Sequence, residues 1–141
     1  MKALPSTVEP PALPSDLLVR CPLALDHVEV RLFILALGCL HQQSQRLPFQ
    51  LTFADVLPDG NVEDQFAQLD KAQKRLTQPL KYEGRRLGQR FSHWIPLFTE
   101  MSIDQDTGLV TGVFNLHLKD YLLDLSGRFT TAQLESLLML H

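Results

Sequence analysis

Apolar and polar positions divide the chain into stretches of different period. Residues 1–22 hold five of the nine prolines (Pro5, Pro10, Pro11, Pro14 and Pro22), so this stretch reads as a non-helical, extended arm preceding a domain at 23–141. From Asp26 the pattern turns helical. Asp26 and Glu29 have the spacing of a capping box, and Val28, Leu32, Leu35 and Cys39 form one ridge. Phe33, Ala36, Leu37 and Leu40 carry the apolar surface nearly all round, which places this helix in the middle of a core. Pro48 disfavours helix at the residue before it as well as at itself.

Phe49, Leu51 and Phe53 then alternate with Gln50 and Thr52, the period of a half-buried strand, and Asp55 to Leu57 reads as a short helical turn. Pro58-Asp59-Gly60-Asn61 is a turn whose asparagine caps a second long helix through Gln78. Val62, Phe66, Leu69, Ala72 and Leu76 recur along that helix, and Pro79 ends it. Leu80 to Phe98 is rich in β-prone residues and predicts a short strand followed by a long one. The long strand runs from Phe91 through Ile103 to a turn at Asp104 to Gly108, and Leu109 to Phe114 returns antiparallel, so the pair predicts a long β-hairpin wing. Leu116 to Leu125 reads as a short helix, Ser126-Gly127 as a break, and Thr130 or Thr131 as the cap of a final helix reaching His141. The expected class is α+β, a winged-helix domain.

Composition narrows the function classes. A chain of 141 residues with 45% hydrophobic and 21% charged residues supports one core and is not a disordered segment. Cys21 and Cys39 are too few for a disulfide framework. Val28 to Leu40 carries Glu29 and Arg31 and falls well short of the ~20 residues that cross a bilayer, and the N-terminus lacks the apolar stretch of a secretory signal. The chain is therefore read as cytoplasmic, without a membrane partner.

The five histidines are dispersed, at 27, 41, 93, 117 and 141, and none has a ligand spacing on one helix face, so no metal is expected. Asp104-x-Asp106-x-Gly108 has the alternating carboxylates of a calcium loop but lies between strands and lacks the terminal glutamate; it is read as hairpin chemistry. His93 beside Trp94 has no nucleophile motif near it. With no phosphate loop and no nucleophile elbow, the expectation is a binding module, not an enzyme, and one without a cofactor. Trp94, Phe98 and Tyr82 could stack on single-stranded bases, but aromatic residues of a small sheet usually pack against helices, so they are assigned to the core.

Charge distribution says more than net charge. The formal charge is -3, yet Lys71, Lys74, Arg75, Lys81, Arg85, Arg86 and Arg90 place seven of the thirteen basic residues within twenty positions, opposed there by Glu83 alone. Cations gathered on one surface release counterions from a nucleic-acid backbone, so these seven are the candidate DNA-binding residues. Asp70 and Lys74 also have the spacing of a helix-stabilising pair.

Leu25-Asp26-x-x-Glu29-x-Arg31-Leu32-Phe33-Ile34-Leu35-Ala36-Leu37 resembles the opening helix of the N-terminal winged-helix domain of plasmid replication initiator (Rep) proteins. Gly108-Leu109-Val110-x-Gly112-Val113-Phe114, then Leu118-x-x-Tyr121-Leu122-x-x-Leu125, then Phe129-Thr130, resembles the return strand and following helix of the same family. Phe49-Gln50-Leu51 and Lys71 to Leu76 fit between them, and the resemblance covers about Pro22 to His141.

The resemblance implies a role in plasmid DNA replication initiation. It implies a domain that mediates homodimerisation and, in the monomeric form, assists binding of the double-stranded origin through phosphate contacts. Family members continue into a second winged-helix domain, where base reading mainly lies. Leu134, Leu137, Leu138 and Leu140 make the last helix apolar, which suggests an interface there. The alternative is a winged-helix transcription regulator, with the helix from Val62 to Gln78 in a major groove.

Overall fold

The computed structural model describes residues 16–40 and 45–139. Most of the expected arm, the expected position of Leu140, and His41 and His141 lie outside the described residues. Among these residues, two antiparallel sheets and six α-helices are built on one core, in the order α1 (Leu17–Arg20), α2 (His27–Leu37), β1 (Pro48–Thr52), α3 (Phe53–Val56), α4 (Val62–Leu76), β2 (Leu80–Arg86), β3 (Gln89–Ile95), β4 (Phe98–Asp104), β5 (Leu109–Phe114), α5 (Lys119–Arg128) and α6 (Thr131–Leu138).

The caps explain where the helices start. Glu29 N–H donates to Asp26 Oδ1 at 2.8 Å and Asp26 N–H donates to Glu29 Oε1 at 3.0 Å, so both ends of the capping box close. The buried stripe of α2 is Val30, Leu32, Phe33, Ala36 and Leu37, while Val28, Leu35 and Cys39 of the expected ridge sit at its margin. Asn61 Oδ1 accepts from Asp64 N–H at 2.8 Å and starts α4, which ends at Leu76, two residues short of Gln78. The first strand ends at Thr52 because Thr52 and Asp55 form a second capping box, which makes Phe53 the first residue of α3 instead of the last of β1.

Strands β1, β5 and β4 form one sheet in that order, with β5 in the middle. Helix, strand, two helices and a hairpin that pairs back onto the first strand make the winged-helix arrangement, and β4 and β5 are its hairpin. Phe114 on β5 is fully buried, with its ring stacked on Phe98 at 4.5 Å and close to Phe33 and Phe49 at 6.0 and 5.7 Å. At the turn, Asp104 Oδ1 accepts from Asp106 N–H at 2.9 Å and Thr107 N–H at 3.4 Å, and Gly108 takes a φ of 67°, so the aspartate closes the hairpin.

Four further sequence expectations are corrected by the fold. The single long strand expected from Phe91 through Ile103 is two strands belonging to two different hairpins: β3 ends at Ile95 and β4 begins at Phe98, with Pro96 between them unable to donate to a ladder. The last part of the supposed arm is helical, because 15–21 is free of proline; Leu17 and Leu18 are buried, and Leu18 N–H donates to Tyr121 Oη at 3.0 Å. Ser126-Gly127 does not break α5, which runs to Arg128. Nor is α6 left uncovered: Leu134 and Leu138 are buried, and Leu25 N–H donates to the Leu138 carbonyl at 2.8 Å, so its apolar side is used inside the domain.

Candidate nucleic-acid interface

The seven candidate cations fall into two groups. Lys71, Lys74 and Arg75 lie on the exposed side of the C-terminal half of α4, opposite the buried stripe of Leu69, Ala72 and Leu76. Lys81, Arg85, Arg86 and Arg90 lie on the β2–β3 ribbon, which is separated from α4 by three residues. At about 3.3 Å per residue, Arg85 stands roughly 17 Å farther out than Leu80.

Within the first group two side chains already have partners. Lys74 Nζ is 3.7 Å from Asp70 across one helical turn, and Arg75 Nη2 donates to the Leu23 carbonyl at 2.8 Å. Arg75 therefore holds the segment before α2 against α4. Its cleft, shared with Leu23, Gln78, Pro79 and Lys81, connects the two groups of cations.

The ribbon has two unlike faces because side chains alternate along a strand. Leu80 and Ile95 face each other, as do Tyr82 and His93, Gly84 and Phe91, and Arg86 and Gln89. Leu80 and Ile95 are buried in the core and anchor the base. Farther out, the Phe91 ring lies edge-on to Tyr82 at 5.7 Å and against Gly84, where a Cβ would come within 2.8 Å of it. Glycine here lets the ring lie on the backbone.

The opposite face pairs Lys81 with Trp94, Glu83 with Ser92, and Arg85 with Arg90, and all six are exposed. Lys81 Nζ lies 3.0 Å from Glu83 and 5.4 Å from the centre of the Trp94 ring. The Lys81 hydrogen bond and charge, together with the Arg90 charge, hold the Glu83 carboxyl below its ordinary value. The face thus neutralises its one acid internally and presents Arg85 and Arg90 beyond it.

Trp94 is 56% exposed, which corrects its assignment to the core; Phe98 is buried and Tyr82 half-buried, as expected of sheet aromatics. The tip joining β2 to β3 is Leu87-Gly88, with φ of 51° and 80°. A two-residue turn with both φ values positive favours Asn, Asp or Gly first, and a leucine there is strained by about 1–2 kcal/mol. Leu87 is also 95% exposed, so burial does not offset that strain within this chain. Neither Leu87 nor Trp94 stands out in the sequence as a functional residue. The available signal is Leu-Gly between two alternating runs, followed by Pro96.

Among the described residues, no three His, Cys, Asp or Glu side chains are placed to hold a metal ion together, and no helix is long and apolar enough to cross a membrane.

Compared with known families, residues 14–141 match the family described as initiator replication protein, WH1. Among solved structures, the chain is similar to the crystal structure of the MSBI1.176 WH1 domain, a replication protein isolated from a multiple sclerosis patient. The two are 19% identical with a TM-score of 0.53, over 75% of this chain and 86% of that one. At that identity the likeness bears on the fold. No curated protein matches the chain.

Proposed function

This chain belongs to the initiator replication protein family, as a WH1 domain, and from that premise we propose that it serves plasmid DNA replication initiation as a non-enzymatic, cytoplasmic module. It contacts the phosphates of duplex DNA and pairs with a second copy of itself. The observation that carries the DNA reading is the exposed β2–β3 face, on which Arg85 and Arg90 lie side by side while Glu83 is engaged by Lys81. Lys71 and Lys74 on α4 extend the positive surface toward the body of the domain. Contacts of this kind hold a duplex in register without reading its sequence.

The solvent-facing side of the three-stranded sheet supports the pairing role. Pro48, Val113 and Glu100 form one cross-strand row, and Gln50, Thr111 and Ser102 form the next. Val113 and Thr111 are half-buried there, so the face is mixed apolar and polar, as non-obligate interfaces are. It belongs to a different sheet from the ribbon, so pairing through it does not use the ribbon's cations.

Replacing Arg85, Arg86 and Arg90 together by alanine should weaken duplex binding about equally for all sequences. It should also flatten the dependence on salt by roughly one unit of slope for each phosphate no longer neutralised. Unchanged affinity and slope would remove the phosphate-contact reading. Sedimentation showing only monomer at high concentration would remove the pairing. Strong sequence preference by this chain alone would favour a transcription regulator reading bases through α4.

A further inference from the structure

We propose that the β2–β3 ribbon is a minor-groove arm, with Leu87 as the apolar tip that enters the groove and the arginines behind it gripping the phosphates on both walls. The proposal rests on the phosphate-contact reading above and adds the groove, the side chain that enters it and a deformation of the DNA.

Three independent features of the ribbon meet at the tip. The first is placement: full burial is confined to Leu80 and Ile95 at the base, Tyr82 packs partly against the core beside them, and the outer strands pack mainly on each other, so the end of the hairpin stands clear of the domain. The second is chemistry. Leu87 occupies a position with a φ of 51° where Asn, Asp or Gly would relieve strain, and it is 95% exposed. An apolar side chain held in an unfavourable conformation in water does nothing for the isolated turn. Strain of this kind concentrates at functional sites.

The third feature is the arrangement of charge around the tip. Arg85 and Arg90 project from one face of the ribbon, and Arg86 projects from the other, paired with Gln89. A ribbon laid flat in a major groove would direct one face at the bases and would need cations only at its edges. A tip pushed end-on into the minor groove, about 6 Å wide, meets a phosphate wall on each side and needs cations on both faces. Apolar wedges flanked by basic side chains are how proteins unstack a base step and bend a duplex through that groove. An anionic bilayer would also attract arginines and a leucine, but a lone leucine offers little area for insertion. The two-sided charge fits two walls better than one plane.

The discriminating variant is Leu87→Asn, which suits the positive φ and leaves every cation in place, so it should fold at least as well as the parent; circular dichroism melts check this. The probe is an end-labelled A·T-rich duplex of about 25 base pairs, read by fluorescence anisotropy for affinity and by energy transfer between its ends for bending. Wild type should bind and bend it, and distamycin, a minor-groove ligand, should displace it. Leu87→Asn should bind about tenfold more weakly, lose the bend and keep the salt slope.

If Arg85→Ala with Arg90→Ala weakens binding while Leu87→Asn binds and bends like wild type, the tip proposal falls and the phosphate reading stands. If the arginine variant has no effect on affinity or slope, the phosphate reading fails and the proposal with it. Displacement by methyl green, a major-groove ligand, with no effect of distamycin would overturn the groove assignment. So would loss of capture on phosphatidylserine vesicles by Leu87→Asn with duplex binding and bending intact.

Discussion

Arg85 and Arg90 stand directly opposite each other across the β2–β3 ladder, on an exposed face. Like charges at opposed strand positions destabilise a hairpin, so this pair works against the element that carries it. Its position next to a strained tip makes the ribbon a place where the fold is locally less stable than its sequence could make it.

Relief of that opposition should be measurable. Arg90→Thr replaces one charge by a good strand former and should raise the thermal midpoint by about 1–3 °C. The same variant should bind duplex DNA more weakly, with a salt slope shallower by about one unit. A calorimetric scan and a salt titration check the two effects, and a variant gaining both stability and affinity would contradict the trade-off.

Glu83 supplies a pH dependence with a definite sign. Its folded carboxyl is held below the ordinary value, first by the Lys81 hydrogen bond and then by the Lys81 charge. Near pH 4 the folded chain therefore binds fewer protons than the unfolded one, so the pair's contribution is present above the unfolded value and lost as pH falls through the folded one. In an NMR titration, Lys81→Ala should bring Glu83 back toward its ordinary value. No movement would show that Lys81 is not the cause.

Gly112 packs against Phe49 with no room for a side chain. A Cβ there would come within 2.6 Å of the Phe49 ring and 2.8 Å of the Glu100 carbonyl, and Gly112 lies on the middle strand, where the backbone cannot easily give way. Gly112→Ala should lower stability by about 1–3 kcal/mol in denaturant unfolding. A neutral result would mean that the Phe49 ring and β4 shift more readily than close packing allows.

Leu17 belongs to the core although it precedes the domain boundary expected at residue 23. It is fully buried, and Leu17→Ala should cost about 2–5 kcal/mol. Tyr121→Phe removes the acceptor for Leu18 N–H and should cost about 1 kcal/mol. If both variants unfold like the parent, α1 is not part of the cooperative unit.

Elements controlled by near neighbours were legible in the chain. Asp26 with Glu29, Asn61 and the Asp104 to Gly108 turn act over two to four residues, and the structure uses each as the pattern requires; of the two threonines open as the last cap it uses Thr130. The positive segment was legible too, since seven cations against one acid is a property of composition. Division of that segment was not. Arg75 turns to the Leu23 carbonyl, 52 positions away, while Arg85 and Arg90 meet because a turn at Leu87-Gly88 folds one strand onto the other.

The sequence by itself determined the starts of α2 and α4, the return strand and its turn, and the family resemblance, because capping, turn closure and apolar period depend on residues adjacent in the chain. Tertiary structure alone decided which of two hairpins each half of the Phe91 to Asp104 run joins. It also decided that Trp94 and Leu87 face solvent and that Leu17, Leu134 and Leu138 do not. Alternation along a strand names two faces but not the one that meets a core. That depends on the packing partner, and for α1 and α6 the partners come from the far end of the chain.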